Sequence, residues 1–242
     1  MSDRLIPSSP DWAENLEALG GEQPVGRRAE LIRLAETVRG LVHRLVQIDA
    51  PTEVIAEAAD ATAAVLAQLG EHHQRSMYEG FAESANAGEP LRFFDHSPML
   101  GRANPLAPPI ELWLEGDRMH GRMTFSSAYE GPPGCVHGGF VAAAFDEALG
   151  AVQSLAGNPG MTGRLTVHYR SPTPLHTELR FEGWLESASG RKILTKGTLS
   201  AGEVLCAEAE GLFISIDVAR FTALKAAREA RQAEAEGSSP DR

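Results

Sequence analysis

Leu31, Leu34, Val38, Leu41, Val42 and Leu45 recur at spacings of three and four, which predicts an amphipathic helix from about Arg27. A second helical stripe runs through Val54, Ile55, Ala58, Val65, Leu66 and Leu69 and stops at Gly70. Asp49 reads as its N-cap, with Pro51 in the first turn and Glu53 close behind. Residues 27–74 are therefore expected to form a hairpin-like helical pair, preceded by a loose arm over 1–26. The stretch 75–108 has no clean period. It ends in "SPMLGRANPLAPP", with four prolines in thirteen residues, and reads as an ordered loop or a linker wrapped on the surface.

Beyond it the period falls to two. Ile110, Leu112 and Leu114 alternate with Glu111, Trp113 and Glu115, "EGDR" makes a turn, and Met119–Phe125 returns as a second strand. Gly139–Gln153 is long and Ala-rich enough for a central helix. Four strand-like runs follow, at 162–170, 178–187, 191–200 and 203–216. One helix cannot cover both faces of a sheet, so a doubly wound fold is excluded. The pattern over 109–217 predicts an α+β unit, an antiparallel sheet curled around one long helix, with a generic α+β sandwich as the rival. The tail, 218–242, reads as a helix with a frayed end.

Composition narrows the partners. A formal net charge of −11 lacks the basic footprint that nucleic acid or an anionic membrane requires. Cys135 and Cys206 have neither metal-ligand nor disulfide spacing, and His72, His73 and His120 make no ligand set. No apolar run is long enough for a membrane span and no signal sequence opens the chain, so a cytoplasmic protein is expected.

The candidate chemistry centres on "GPPGCVHGGFVAAAFDEALG" (131–150). Gly138 and Gly139 stand where a loop becomes a helix. The first amides of a helix lack internal partners, and two glycines let an oxygen approach them closely. Asp146 lies beside the apolar stripe of Val141, Phe145, Ala148 and Val152. It is ~10 Å along the helix from Gly139, too far to serve the same helix start. It can serve the helix start of a second copy in a symmetric dimer; an exposed acidic pair on a solvated face is the bland reading. In "MTGRLTVHYR", strict alternation turns Leu165, Val167 and Tyr169 one way and Thr162, Arg164, Thr166, His168 and Arg170 the other. With Arg191 and Lys192, these cations hint at a polyanionic small molecule.

"EGPPGCVHGGFVAAAFDEALG", "MTGRLTVHYRSPTPL", "SGRK" and "EGLFISI" together resemble the hotdog-fold acyl-CoA thioesterases of the PaaI type, in particular the subgroup of thioesterase superfamily members four and five. The resemblance covers about residues 108–217 and implies a hotdog domain working as a homodimer or dimer of dimers, with a place in fatty acid metabolism. It implies Asp146 as the catalytic acid, acting as general base or nucleophile. Gly138 and Gly139 would polarise the thioester carbonyl, His137 would organise that turn, and Thr162 would stand near the acid. His168, Arg170, Arg191 and Lys192 would touch coenzyme A, which is substrate rather than cofactor; no metal or other cofactor is implied. Some relatives carry an Asn six residues before the motif histidine; here it is Gly131.

Other readings are a non-catalytic acyl-CoA or small-molecule binding protein, and an acyl-CoA hydratase or dehydratase. The second is disfavoured because His137 precedes Asp146 by nine residues instead of following it by about five. There is no G-x-S-x-G elbow for an α/β-hydrolase, and Cys135 reads as packing.

Overall fold

A computed structural model describes residues 23–72, 95–108, 110–157 and 160–215. The expected C-terminal helix and nearly all of the expected N-terminal arm lie outside these residues. Helix α1 spans Gly26–Leu45 and α2 spans Thr52–Gly70. A strap, 95–108, leads to strands β1 (Glu111–Glu115) and β2 (Arg118–Met123), a short 3-10 turn (Ser127–Tyr129) and the long helix α3 (Gly138–Ser154). Strands β3 (Gly160–Tyr169), β4 (Leu179–Ser189), β5 (Lys192–Ala201) and β6 (Val204–Ser215) complete the unit.

The six strands form one sheet in the order β1-β2-β4-β5-β6-β3, antiparallel at every pairing. α3 packs on one face of it, against strands from β2 to β6. The stripe read from sequence is the packed one: Val141, Phe145, Ala148, Leu149 and Val152 are all buried. They meet Met119, Phe181, Ile193, Leu199 and Phe213 from alternate positions of the strands. This is the sheet-around-helix arrangement that the resemblance implies.

Three local expectations are corrected. The helical pair does not pack as a hairpin: α2 buries no residue, and Val54, Ile55, Val65, Leu66 and Leu69 are exposed along it. Pro51, not Asp49, is the N-cap of α2, and no side chain caps it. The packed face of α1 runs through Ile32 and Ala35, a residue away from the leucine stripe.

A further correction bears on the site. Strand β3 contains a bulge: Thr162 pairs with Phe213 and Arg164 with Leu212, so Gly163 has no counterpart on β6. The extra residue reverses the alternation. Thr162 therefore shares the helix-facing side with Leu165, Val167 and Tyr169. Arg164, Thr166, His168 and Arg170 point to the opposite face.

α1 docks through polar side chains as much as through its apolar face. Arg28 pairs with the buried Asp95, Nε to Oδ2 at 2.6 Å. Arg39 donates to three strap carbonyls: Ala107 at 2.7 Å, Asn104 at 2.8 Å and Arg102 at 3.3 Å. The strap is thus a clamped segment; the rest of the expected linker or wrapping loop, 75–94, lies outside the described residues. Gln47, just beyond α1, donates to Ser127, whose hydroxyl also meets His176 Nε2 at 2.8 Å.

Candidate active site

The loop before α3 is folded tightly on itself. Gly131 N–H donates to the Cys135 carbonyl, and His137 N–H to the Tyr129 carbonyl. A Cβ on Gly131 would meet His137 Cα at 2.7 Å, well inside contact distance. An asparagine in place of Gly131 is incompatible with this backbone, which gives a steric reason for the missing Asn.

His137 is the N-cap of α3. Its Nδ1 accepts from Gly139 N–H at 3.0 Å, and its carbonyl accepts from Phe140 N–H at 2.9 Å. With Nδ1 an acceptor, the proton of the neutral ring sits on Nε2. Gly139 N–H is thus already engaged. Among the described residues no acceptor meets Gly138 N–H, so Gly138 supplies the free amide at the helix start, where the macrodipole is positive. The corner is held from outside: Tyr169 OH donates to the Gly138 carbonyl at 2.7 Å.

Asp146 is exposed, and its Oδ1 accepts from the Thr162 hydroxyl at 2.8 Å. This bond exists because of the bulge at Gly163. Thr162 at one end of β3 and Tyr169 at the other thus fasten Asp146 and Gly138. Eight helical residues separate the latter two, ~12 Å along the axis. Within one chain they do not face a common point.

Glu147, next to Asp146, is a feature the sequence reading passed over. It is half-buried and accepts from Ser97 Oγ at 3.1 Å. Burial pushes its carboxyl above the usual carboxylate range; the Ser97 bond opposes this and the Asp146 charge adds to it. Ser97 also accepts from Met99 and Leu100 N–H, so one hydroxyl ties the strap's first turn to α3.

The expected coenzyme A contacts are not brought together in one chain. Tyr169 is level with Ala207 on β6, while Lys192 is level with Ile214. His168 and Arg170 thus stand ~23 Å along the sheet from Arg191 and Lys192. Arg170 is paired with Glu208, Nε to Oε1 at 3.1 Å, and that bond holds the Glu208 carboxyl below the usual range. Arg164 pairs with Glu210 at 3.4 Å. Arg191 Nε donates to the Ser215 carbonyl, and Lys192 has no ion-pair partner among the described residues. Cys135 lies in a short bridge with Pro174. Among the described residues no three His, Cys, Asp or Glu side chains gather as metal ligands, and no helix is long and apolar enough to cross a membrane.

An apolar groove of about 330 Å³ opens beside the corner. Phe140 and Ala143 of α3, Pro98, Met99 and Leu106 of the strap, and His137 and Gly139 of the corner line it.

Comparison with known proteins places this geometry. Residues 133–208 match the sequence profile of the Thioesterase superfamily, a segment that contains the corner, Asp146, Thr162 and Tyr169. A crystal structure of a thioesterase superfamily protein is 31% identical, with a TM-score of 0.66 over 80% of this chain and 97% of that one. That coverage extends well beyond the six-stranded unit. Acyl-coenzyme A thioesterase THEM4 of Xenopus laevis is 36% identical over 89 residues, and that of Bos taurus 38% over 90. These segments are 36% of this chain, and 40% and 37% of the two relatives, so the chain matches about two fifths of their length.

Proposed function

The chain belongs to the thioesterase superfamily, and from that premise we propose that it hydrolyses an acyl-CoA thioester to the free acid and coenzyme A, at sites shared between two copies. The observation that carries this is the division of labour along β3. It fastens an acid at one end and a free helix-start amide at the other, and it is itself an open edge of the sheet.

Among the described residues β3 pairs only with β6, so alternate residues along its ten present unmet backbone donors and acceptors at the sheet edge. A second copy satisfies them by antiparallel pairing about a two-fold axis near the middle of the strand. Such pairing sets the Thr162 end of each strand beside the Tyr169 end of the other. Asp146 of each copy then approaches the Gly138 corner of its neighbour. The same operation brings His168 and Arg170 toward Arg191 and Lys192 of the partner subunit, a spread of cations suited to the phosphates of coenzyme A. Arg170 exchanges Glu208 for phosphate in this reading.

The thioester oxygen accepts from Gly138 N–H. Asp146 of the partner subunit holds and deprotonates a water, and the new oxygen–carbon bond converts the carbonyl into an oxyanion. A fixed amide donor at that oxygen is worth ~3 kcal/mol of barrier, and the base a further factor of ~100 or more. Collapse of the intermediate breaks the carbon–sulfur bond, and the thiolate takes up the proton held by Asp146. Thr162 donates to Oδ1 and leaves Oδ2 for water, which suits the base role in this reading. His137 sets the turn and does not transfer protons.

The test is a thiol-release assay over a panel of acyl-CoA substrates. Release of free thiol is expected. Saturable binding without release would make the protein a carrier or sensor instead.

A further inference from the structure

We propose that the strap, 95–107, is the acyl-recognition element: an aliphatic acyl chain lies in the groove between Leu106 and Ala143, its carbonyl at the Gly138 end. This rests on the thioesterase reading above and names the class of acyl group.

The groove runs between α3 and the strap, and its lining includes His137 and Gly139, the residues on either side of Gly138. Among the described residues no charged side chain lines it. Beyond His137, a carboxylate or other polar group buried there would lose its water without gaining a partner among the described residues, which disfavours dicarboxylic and hydroxylated acyl groups. The apolar wall is built before any substrate arrives. Arg39 holds the main chain on both sides of Leu106, and Tyr129 OH donates to the Leu106 carbonyl at 2.8 Å. Arg28 fixes Asp95, and Ser97 fixes the turn carrying Met99. Leu106 is nonetheless 59% exposed. A large apolar side chain on a clamped backbone, open to solvent at the mouth of a groove, is preorganised for an apolar ligand. The strap also lies outside the superfamily segment, 133–208.

Two measurements test this on the full chain. The first is the affinity of a non-hydrolysable dodecyl thioether of coenzyme A against coenzyme A itself, by calorimetry. The thioether is expected to bind about tenfold tighter or more, since each buried methylene adds to affinity. Leu106→Glu and Ala143→Phe are each expected to remove most of that gain. Leu106 is exposed, so its replacement does not threaten folding. The second is the ratio of kcat/KM for dodecanoyl-CoA over butyryl-CoA, expected to fall by about tenfold in Leu106→Glu. A dodecyl chain that adds nothing to affinity, or a ratio unmoved by either substitution, overturns the proposal while thiol release leaves the thioesterase reading standing. A dodecyl gain that Leu106→Glu abolishes, in a protein that releases no thiol, upholds the groove and sinks the hydrolytic reading.

Discussion

The Thr162 hydroxyl donates to Asp146 Oδ1 at 2.8 Å, across the gap between an edge strand and the central helix. Plain alternation along β3 would turn Thr162 to the far side of the sheet. Asp146→Asn is expected to lower kcat by a hundredfold or more, on the order of a lost general base, with the protein still folded. Thr162→Val is expected to cost about tenfold or less, and Thr162→Ser to restore most of the rate. Steady-state kinetics with circular dichroism checks both. Full turnover by folded Asp146→Asn would remove the base mechanism.

Sites built from two copies make a mixing prediction. Asp146→Asn spoils the acid, and Gly138→Val spoils the corner, because a Cβ there meets the Tyr169 ring at 3.3 Å. Each variant alone is expected to be inactive. Random re-pairing of an equal mixture makes half the dimers mixed, each with one intact site, which predicts about a quarter of wild-type activity. A mixture that stays inactive after verified subunit exchange would place the whole site in one chain.

Tyr169→Phe removes the bond to the Gly138 carbonyl and leaves the ring in place. One hydrogen bond of ~1 kcal/mol converts to about a fivefold fall in kcat, with KM little changed. A change confined to KM would mean that Tyr169 contacts substrate and does not hold the corner.

Glu147 makes stability depend on pH. Burial raises its folded pKa, so the folded chain binds more protons than the unfolded one above the ordinary carboxylate range. Stability from this group is therefore greatest in acid and falls as pH rises through the raised pKa. Glu147→Gln keeps an acceptor for Ser97 and removes the charge. It is expected to raise Tm at pH 8, at ~2–4 °C per kcal/mol, with the difference closing as the pH falls. A Tm difference independent of pH would refute the burial argument.

Much of this was legible in the sequence because periodicity records burial. The helix stripe from Val141 to Val152 and the boundaries of the strands follow from it within a few residues. Gly138, Asp146 and Thr162 carried their types and spacing. The bulge was signalled only by Gly163 inside the run, a residue that often marks one, while the polar-apolar alternation around it looked unbroken; the pairing of Thr162 with Phe213 and Arg164 with Leu212 reveals it. The grip of Arg39 on carbonyls more than 60 residues away was equally hidden. So was the bond of Ser97 to Glu147, since tertiary partners leave no trace in spacing. The cations of β3 and β5 looked like one cluster because sequence gives no distance between strand ends.

The Arg39 fork grips only main-chain oxygens, those of Arg102, Asn104 and Ala107. Every amino acid carries that oxygen, so the anchor is indifferent to the side chains strung between its contacts. Evolution, or an engineer, can exchange the residue at 106 and keep the scaffold that presents it: the fixture is conserved while the tool is replaced.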